Sequence, residues 1–208
     1  MSLRKFDQRR IFAMPIRSFR TVLLVLLIFT SVACSLFTSA PAPSQVEIEK
    51  EEQAVYAFFV GEGTGTSLIL AETASGLSTD DIQQTREYIK SGLPDLSREA
   101  LNSFVERNQK PTPLSAEMQL GVEYELLSHE DLAEISSQPN WNQILNERYT
   151  GSNGYLILSR VGFNKSLDQA VIYVGQVAGP LMGSGSYYML EKQNGEWIIK
   201  DESMAWIS

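Results

Sequence analysis

Cysteine and histidine are almost absent from this chain of 208 residues, which contains one of each. A single cysteine cannot form an internal disulfide, and one cysteine with one histidine cannot supply the ligands of a usual structural zinc site. These counts do not exclude a catalytic pair made of the one cysteine and the one histidine. We therefore exclude domains stabilised by disulfides or zinc, and we expect no cofactor.

Basic charge is scarce beyond residue 34. Residues 1–34 hold six lysines and arginines and one acid, whereas residues 35–208 hold 11 basic and 24 acidic residues, a net charge near −13. An acidic body repels nucleic acid phosphates and anionic lipid surfaces, so we expect no nucleic acid partner. The simpler interpretation is that the acidity keeps an exposed domain soluble.

Long apolar runs are also lacking, apart from a short one that follows the basic stretch ending at Arg20. Residues 21–33 form a run of 13 uncharged, mostly apolar residues. A secretory signal has an apolar core of roughly 7–15 residues, and a membrane-spanning helix needs about 20. The pattern predicts a signal peptide over residues 1–33, and Met14 is an alternative start that would give a more compact signal.

The end of this run, Ser31-Val32-Ala33-Cys34, resembles the lipobox of bacterial lipoproteins, with Ser31 where that family usually has leucine. The resemblance implies cleavage before Cys34 and a diacylglycerol on its thiol. The uncharged, Pro/Ser-rich residues that follow make 34–46 a lipidated tether. An uncleaved signal anchor and ordinary cleavage remain alternatives, because residues 21–46 carry no charge.

The same resemblance implies a location outside the cytoplasmic membrane, with Cys34 as the membrane attachment. Ser35 resembles the residue that sorts lipoproteins to the periplasmic side of the outer membrane in double-membraned bacteria. In other bacteria the expected location is the cell surface.

Residues 47–208 predict a single α+β domain. Helical patterns begin at Ser44, at a capping box over residues 78–81, at Ser97, at Ser128 and near Trp141. Strand patterns occupy residues 66–72, 121–127, 154–163, 170–177, 184–193 and 196–200, and Asn194-Gly195 predicts a hairpin. This order predicts N-terminal helices on one face of a curved antiparallel sheet formed mainly by the C-terminal third, as in cystatin- or NTF2-like folds by analogy.

Four segments, 159–164, 170–175, 183–187 and 194–197, resemble together a family of uncharacterised bacterial secreted or lipid-anchored proteins. The resemblance covers about residues 95–208. It implies the same location and fold, and it supplies no catalytic residues.

Two groups of residues invite a catalytic or metal-binding interpretation. His129 could act as a general base, but Ser128 and the acids after it are typical of a helix start. Glu123 and Glu125 lie two apart on a predicted strand and could hold calcium, although a solvated strand face is the commoner meaning.

Arg160 is the most informative candidate, because it lies in an otherwise apolar predicted strand. A charge there is either paired, with an acid such as Glu147 or Asp168, or faces a cavity where it could bind a carboxylate or phosphate. The candidate ligand-facing residues that could line the same concave face are Gln176, Tyr173, Tyr187 and Tyr188. The alternative is that these side chains pack on the sheet and leave no cavity.

The sequence thus predicts a lipid-anchored, non-enzymatic binding or accessory module of the cell envelope, whose protein partner it does not identify. The alternative is a small-ligand-binding or hydrolytic enzyme with a sheet pocket around Arg160. A cavity at Arg160 lined by unpaired carboxylates or tyrosines would favour the alternative, whereas an ion-paired Arg160 would favour the module.

Overall fold

A computed structural model of the protein describes residues 42–61, 66–74, 76, 82–149, 152, 154–179 and 181–208. The signal peptide, Met14, Cys34, Ser35, most of the tether and the capping box at 78–81 lie outside the described residues. The predictions made on those residues stay predictions.

Serine caps begin three of the five described helices. The helices are α1 (Gln45–Val60), α2 (Ile82–Gly92), α3 (Arg98–Arg107), α4 (His129–Ser136) and α5 (Trp141–Arg148). Ser44 closes a capping box with Glu47, whose carboxylate accepts the Ser44 amide at 2.8 Å. The hydroxyls of Ser97 and Ser128 accept backbone amides of the first turns of α3 and α4. These caps confirm the predicted starts of α1, α3 and α4.

The described strands form one sheet. They are β1 (Ser67–Leu70), β2 (Tyr124–Leu127), β3 (Tyr155–Leu158), β4 (Gly162–Phe163), β5 (Gln169–Gly179), β6 (Met182–Gln193) and β7 (Glu196–Ile207). The strand order is β2-β1-β3-β5-β6-β7, with β4 paired to β5. The α+β class is therefore confirmed.

The sheet is mixed rather than purely antiparallel. β1 pairs in parallel with both β2 and β3, while β3 to β7 pair antiparallel. The segment between β1 and β2 contains α2 and α3, and a long crossover of this kind joins parallel strands. The predicted hairpin between β6 and β7 is confirmed, because Asn194 and Gly195 have φ values of 53° and 91°.

Helices pack on both faces of the sheet. On one face, Ile172 and Val174 of β5 pack in a core that includes Val55 and Tyr56 of α1. On the other, Tyr173 of β5 packs in a core with residues of α2 and α3. A central strand that is apolar on both sides requires cover on both sides, so the expected arrangement of helices on one face is not confirmed.

The strand predicted over residues 154–163 is divided into β3 and β4. Ser159 lies between them and is fully buried. Its amide donates to the Tyr173 carbonyl at 3.0 Å, and its hydroxyl accepts the Tyr173 amide at 2.9 Å. The side-chain hydroxyl thus replaces a backbone carbonyl in the ladder, and the strand is interrupted between Leu158 and Gly162. Arg160 lies in this interruption, and its side chain contacts α1.

Candidate functional site

A buried carboxylate on α1 lies between two arginines. The Glu52 side chain is 8% exposed, and its oxygens accept from Arg160 Nε at 2.9 Å and Arg160 Nη2 at 2.8 Å. Arg107 Nη2 of α3 donates to the same carboxylate at 2.9 Å, and the Val161 amide donates at 2.9 Å. One carboxylate therefore joins α1, α3 and the segment between β3 and β4.

The surroundings of Glu52 maintain the charge of Arg160. Burial lowers the pKa of Arg160, but the hydrogen bonds and the negative charge of Glu52 outweigh this effect, so that the pKa is raised above its ordinary value. Tyr56, one turn after Glu52 on α1, donates its hydroxyl to the Ser159 carbonyl at 3.0 Å. Burial first, and then the charge of Glu52, raises the pKa of Tyr56 well above its ordinary value. Tyr56 therefore stays a neutral donor.

The expected ion pair of Arg160 with an acid is present, but the acid is neither of the two named as examples. Its guanidinium pairs with Glu52, and neither Glu147 nor Asp168 forms an ion pair with it. Arg160 also lies between two strands instead of within one. Sequence reasoning missed Glu52, although a signal existed: Glu52 shares a helical stripe with Val55 and Tyr56.

The space beside Arg160 is an open groove rather than a pocket in the sheet. It lies between α1 and the segment 113–118 and has a volume of ≈ 420 Å³. The residues that line it are Glu49, Glu52, Gln53, Tyr56, Pro113, Leu114, Ser115, Glu117, Met118 and Arg160. Because Glu52 occupies the guanidinium, little of the Arg160 charge is left for an anion in the groove.

Two of the candidate ligand-facing residues do meet in a pocket of the sheet face. Gln176 and Tyr188 line a cavity of ≈ 210 Å³. The other residues that line it are Phe58, Phe59, Leu156, Val174, Ser184 and Ile199. Phe58 and Phe59 were missed as site residues because their helical positions are those of ordinary core residues.

Tyr173 and Tyr187 lie on the opposite face of the sheet. Both belong to the core beneath α2 and α3, and the Tyr173 hydroxyl accepts from Trp206 Nε1 at 2.7 Å. Tyr173 and Gln176 are an odd number of residues apart on β5, so their side chains project on opposite faces. The prediction that the candidates share one face holds for Gln176 and Tyr188 and is wrong for Tyr173 and Tyr187. Arg160 lies between strands and lines a separate groove.

The remaining candidates lie at the surface. His129 begins α4, and its Nε2 lies 3.5 Å from Glu72 Oε2, with the two side chains 61% and 45% exposed. Glu123 precedes β2, and both it and Glu125 are exposed. Within the described ranges, acidic, histidine and cysteine side chains nowhere gather into a group of three or more suited to a metal ion.

None of the helices in the described part of the chain combines the length and apolar character needed to cross a membrane. No family model, curated protein or solved structure matches this chain. The resemblance of residues 95–208 to bacterial secreted or lipid-anchored proteins stays a prediction.

Proposed function

We propose that the protein is a lipid-anchored, extracytoplasmic binding or accessory module without enzymatic activity. The observation that carries this proposal is the pairing of Arg160 with buried Glu52. This ion pair gives Arg160, the main candidate for binding a ligand, a structural role. The alternative of an enzyme built around Arg160 has no comparable support. The open groove beside Arg160 has acidic walls at Glu49 and Glu117, which disfavour an anionic substrate.

The attachment part of the proposal is supported by the order of features along the chain. A lipobox-like sequence ends at Cys34, an uncharged Pro/Ser-rich segment follows, and the Ser44 cap of α1 begins the domain. Ten residues extended at about 3.5 Å each would hold the domain within about 35 Å of its anchor. The location follows as proposed above, at the outer membrane or the cell surface according to the type of envelope.

The cystatin-like comparison is retained as a proposal for one substructure alone. There, α1 lies against the meander of β5, β6 and β7, and Val55 shares a core with Ile172, Leu190 and Trp197. The rest of the sheet, with its parallel strands and the helices on the opposite face, departs from that comparison.

Metabolic labelling with a fatty-acid probe tests the attachment. We expect label on the wild-type chain and its loss in Cys34→Ala, because the thiol carries the lipid. Ser35→Ala is a matched control that keeps the thiol and should label as the wild type does. Equal labelling of the wild type and Cys34→Ala would overturn the lipid anchor.

Cross-linking in intact cells followed by purification tests the accessory role. We expect an envelope protein to be captured by the wild-type chain and not by a chain that lacks residues 1–34, since that chain stays in the cytoplasm. Capture of the same proteins by both chains would contradict an envelope partner.

A further inference from the structure

Three aromatic rings line the cavity on the sheet face that α1 covers. Phe58 and Phe59 come from the last turn of α1, and Tyr188 comes from β6. The Phe59 and Tyr188 ring centroids are 5.0 Å apart with an interplanar angle of 52°, and the Phe58 and Phe59 rings are 5.2 Å apart in an edge-to-face arrangement. Differently tilted rings therefore border one small cavity.

The rest of the wall is uncharged. Its polar groups are the Gln176 amide and the Ser184 hydroxyl, and its apolar groups are Leu156, Val174 and Ile199. An anionic ligand would find no cationic side chain among these residues.

A carboxylate lies next to Tyr188, outside the residues that line the cavity. Glu202 of β7 is the register partner of Tyr188, so both side chains project on the same face. Burial raises the pKa of the Tyr188 hydroxyl, and the charge and hydrogen bonding of Glu202 raise it further. Glu202 is exposed, and no lysine or arginine of the described residues forms an ion pair with it. The Tyr188 hydroxyl is neutral, so its hydrogen bond to Glu202 leaves the negative charge of that carboxylate in place.

We infer that this cavity binds a quaternary ammonium group such as that of choline. Aromatic faces attract organic cations through the ring quadrupole, and a methylated ammonium loses no hydrogen bonds when it enters a wall of rings. Glu202 and an acidic body near −13 attract cations and repel anions. The Gln176 amide and Ser184 hydroxyl would serve the polar end of the ligand.

This inference rests on the part of the proposed function that makes the domain a binding module, and it does not require the lipid anchor. Fatty-acid labelling tests the anchor and ligand titration tests the site. A negative result in one experiment therefore leaves the other conclusion unaffected.

The test compares choline with 3,3-dimethyl-1-butanol, a neutral molecule of the same shape. The full chain is purified in dodecyl maltoside, which carries no quaternary ammonium, and both compounds are titrated by calorimetry. We expect choline to bind about tenfold more tightly than the neutral compound, because only choline gains the cation–π attraction. Equal affinities, or no binding of choline, would overturn the inference.

Variants locate the site. Tyr188→Leu and Phe59→Leu should weaken choline binding about tenfold, whereas Tyr188→Phe should retain it because the ring is kept. Tyr88→Leu is a matched control, since Tyr88 is a half-exposed tyrosine whose ring lies 6.2 Å from that of Tyr187, on the opposite side of the sheet. Circular dichroism checks that each variant is folded.

Glu202→Gln keeps the inference testable even where a core variant does not fold, because Glu202 is exposed. It should weaken choline binding several-fold and leave the neutral compound unchanged. An unchanged affinity for choline in both Glu202→Gln and Tyr188→Leu would overturn the site.

Glycerophosphocholine distinguishes a free ligand from a lipid headgroup. Binding equal to that of choline would uphold the site and assign it to the headgroup. Binding at least tenfold weaker would uphold it for free choline, because the phosphate would meet the charge of Glu202.

Discussion

Arg160 and Glu52 are 108 positions apart in the sequence, yet three hydrogen bonds join their side chains. Arg107 completes the cluster from α3. Such a cluster gives modest net stability when it is intact, because both charges have lost water, but the loss of one member leaves the others buried without compensation. The cluster therefore fixes the position of α1 relative to the segment after β3.

Replacement of the central carboxylate should be costly. We expect Glu52→Gln to lower the free energy of unfolding by about 3 kcal/mol, since two largely buried guanidinium groups would lose their counter-charge. Urea denaturation measures this change. Glu49→Gln, an exposed position one turn earlier on α1, should change the value by less than about 0.5 kcal/mol. A similar, small effect for both variants would show that the cluster does not hold α1.

Removal of the Ser159 hydroxyl should destabilise the segment between β3 and β4. In Ser159→Ala the buried Tyr173 amide would lose its acceptor at 2.9 Å, at a cost of about 2 kcal/mol. Chemical denaturation gives the value, and Ser136→Ala on the exposed surface of α4 is the matched control. If Ser159→Ala were as stable as that control, the hydroxyl would not act as part of the ladder.

Any side chain at Gly162 should disturb the contact between β4 and α3. A Cβ there would collide with the Phe104 amide nitrogen and the Ala100 carbonyl oxygen, which are backbone atoms and cannot turn aside. We expect Gly162→Ala to cost about 3 kcal/mol. Gly179→Ala is the control, because its Cβ would only meet Met182 atoms at 3.5 Å or more. Equal thermal midpoints of the two variants would contradict the predicted collision.

Stability should fall at high pH through Tyr187. Burial raises the pKa of Tyr187 to about 12, with a further contribution from Tyr173 and then Tyr88. In the unfolded chain this tyrosine ionises at a pH of about 10. Its contribution to the free energy of unfolding is therefore complete below that pH and is lost as the pH rises from about 10 to about 12. Unfolding free energies across this range should decline less steeply in Tyr187→Phe. An identical decline in both proteins would contradict the assignment.

Local signals in the sequence predicted local structure well. Ser44, Ser97 and Ser128 each cap a helix through an amide only three residues away, so the pattern contains both partners. The Asn194-Gly195 turn likewise depends on its own two residues. Strand pairing depends on residues that are distant in the sequence. Nothing in the sequence of β1 identifies β2 and β3 as its neighbours, so its parallel pairing was not predicted.

The candidate site was predicted in part for the same reason. Gln176 and Tyr188 lie on neighbouring strands, so sheet periodicity could group them. Phe58 and Phe59 join them only because α1 ends above this part of the sheet, which is a tertiary fact. The partner of Arg160 was missed because Glu52 is in a different element, 108 positions away in the sequence.

The alternation of side chains along β5 has a mechanical consequence for the domain. Ile172 and Val174 belong to one core and Val171 and Tyr173 to the other, so a single backbone forms the wall between two otherwise separate interiors. A shift of that wall on one side changes the packing on the other. The two interiors should therefore melt in one transition.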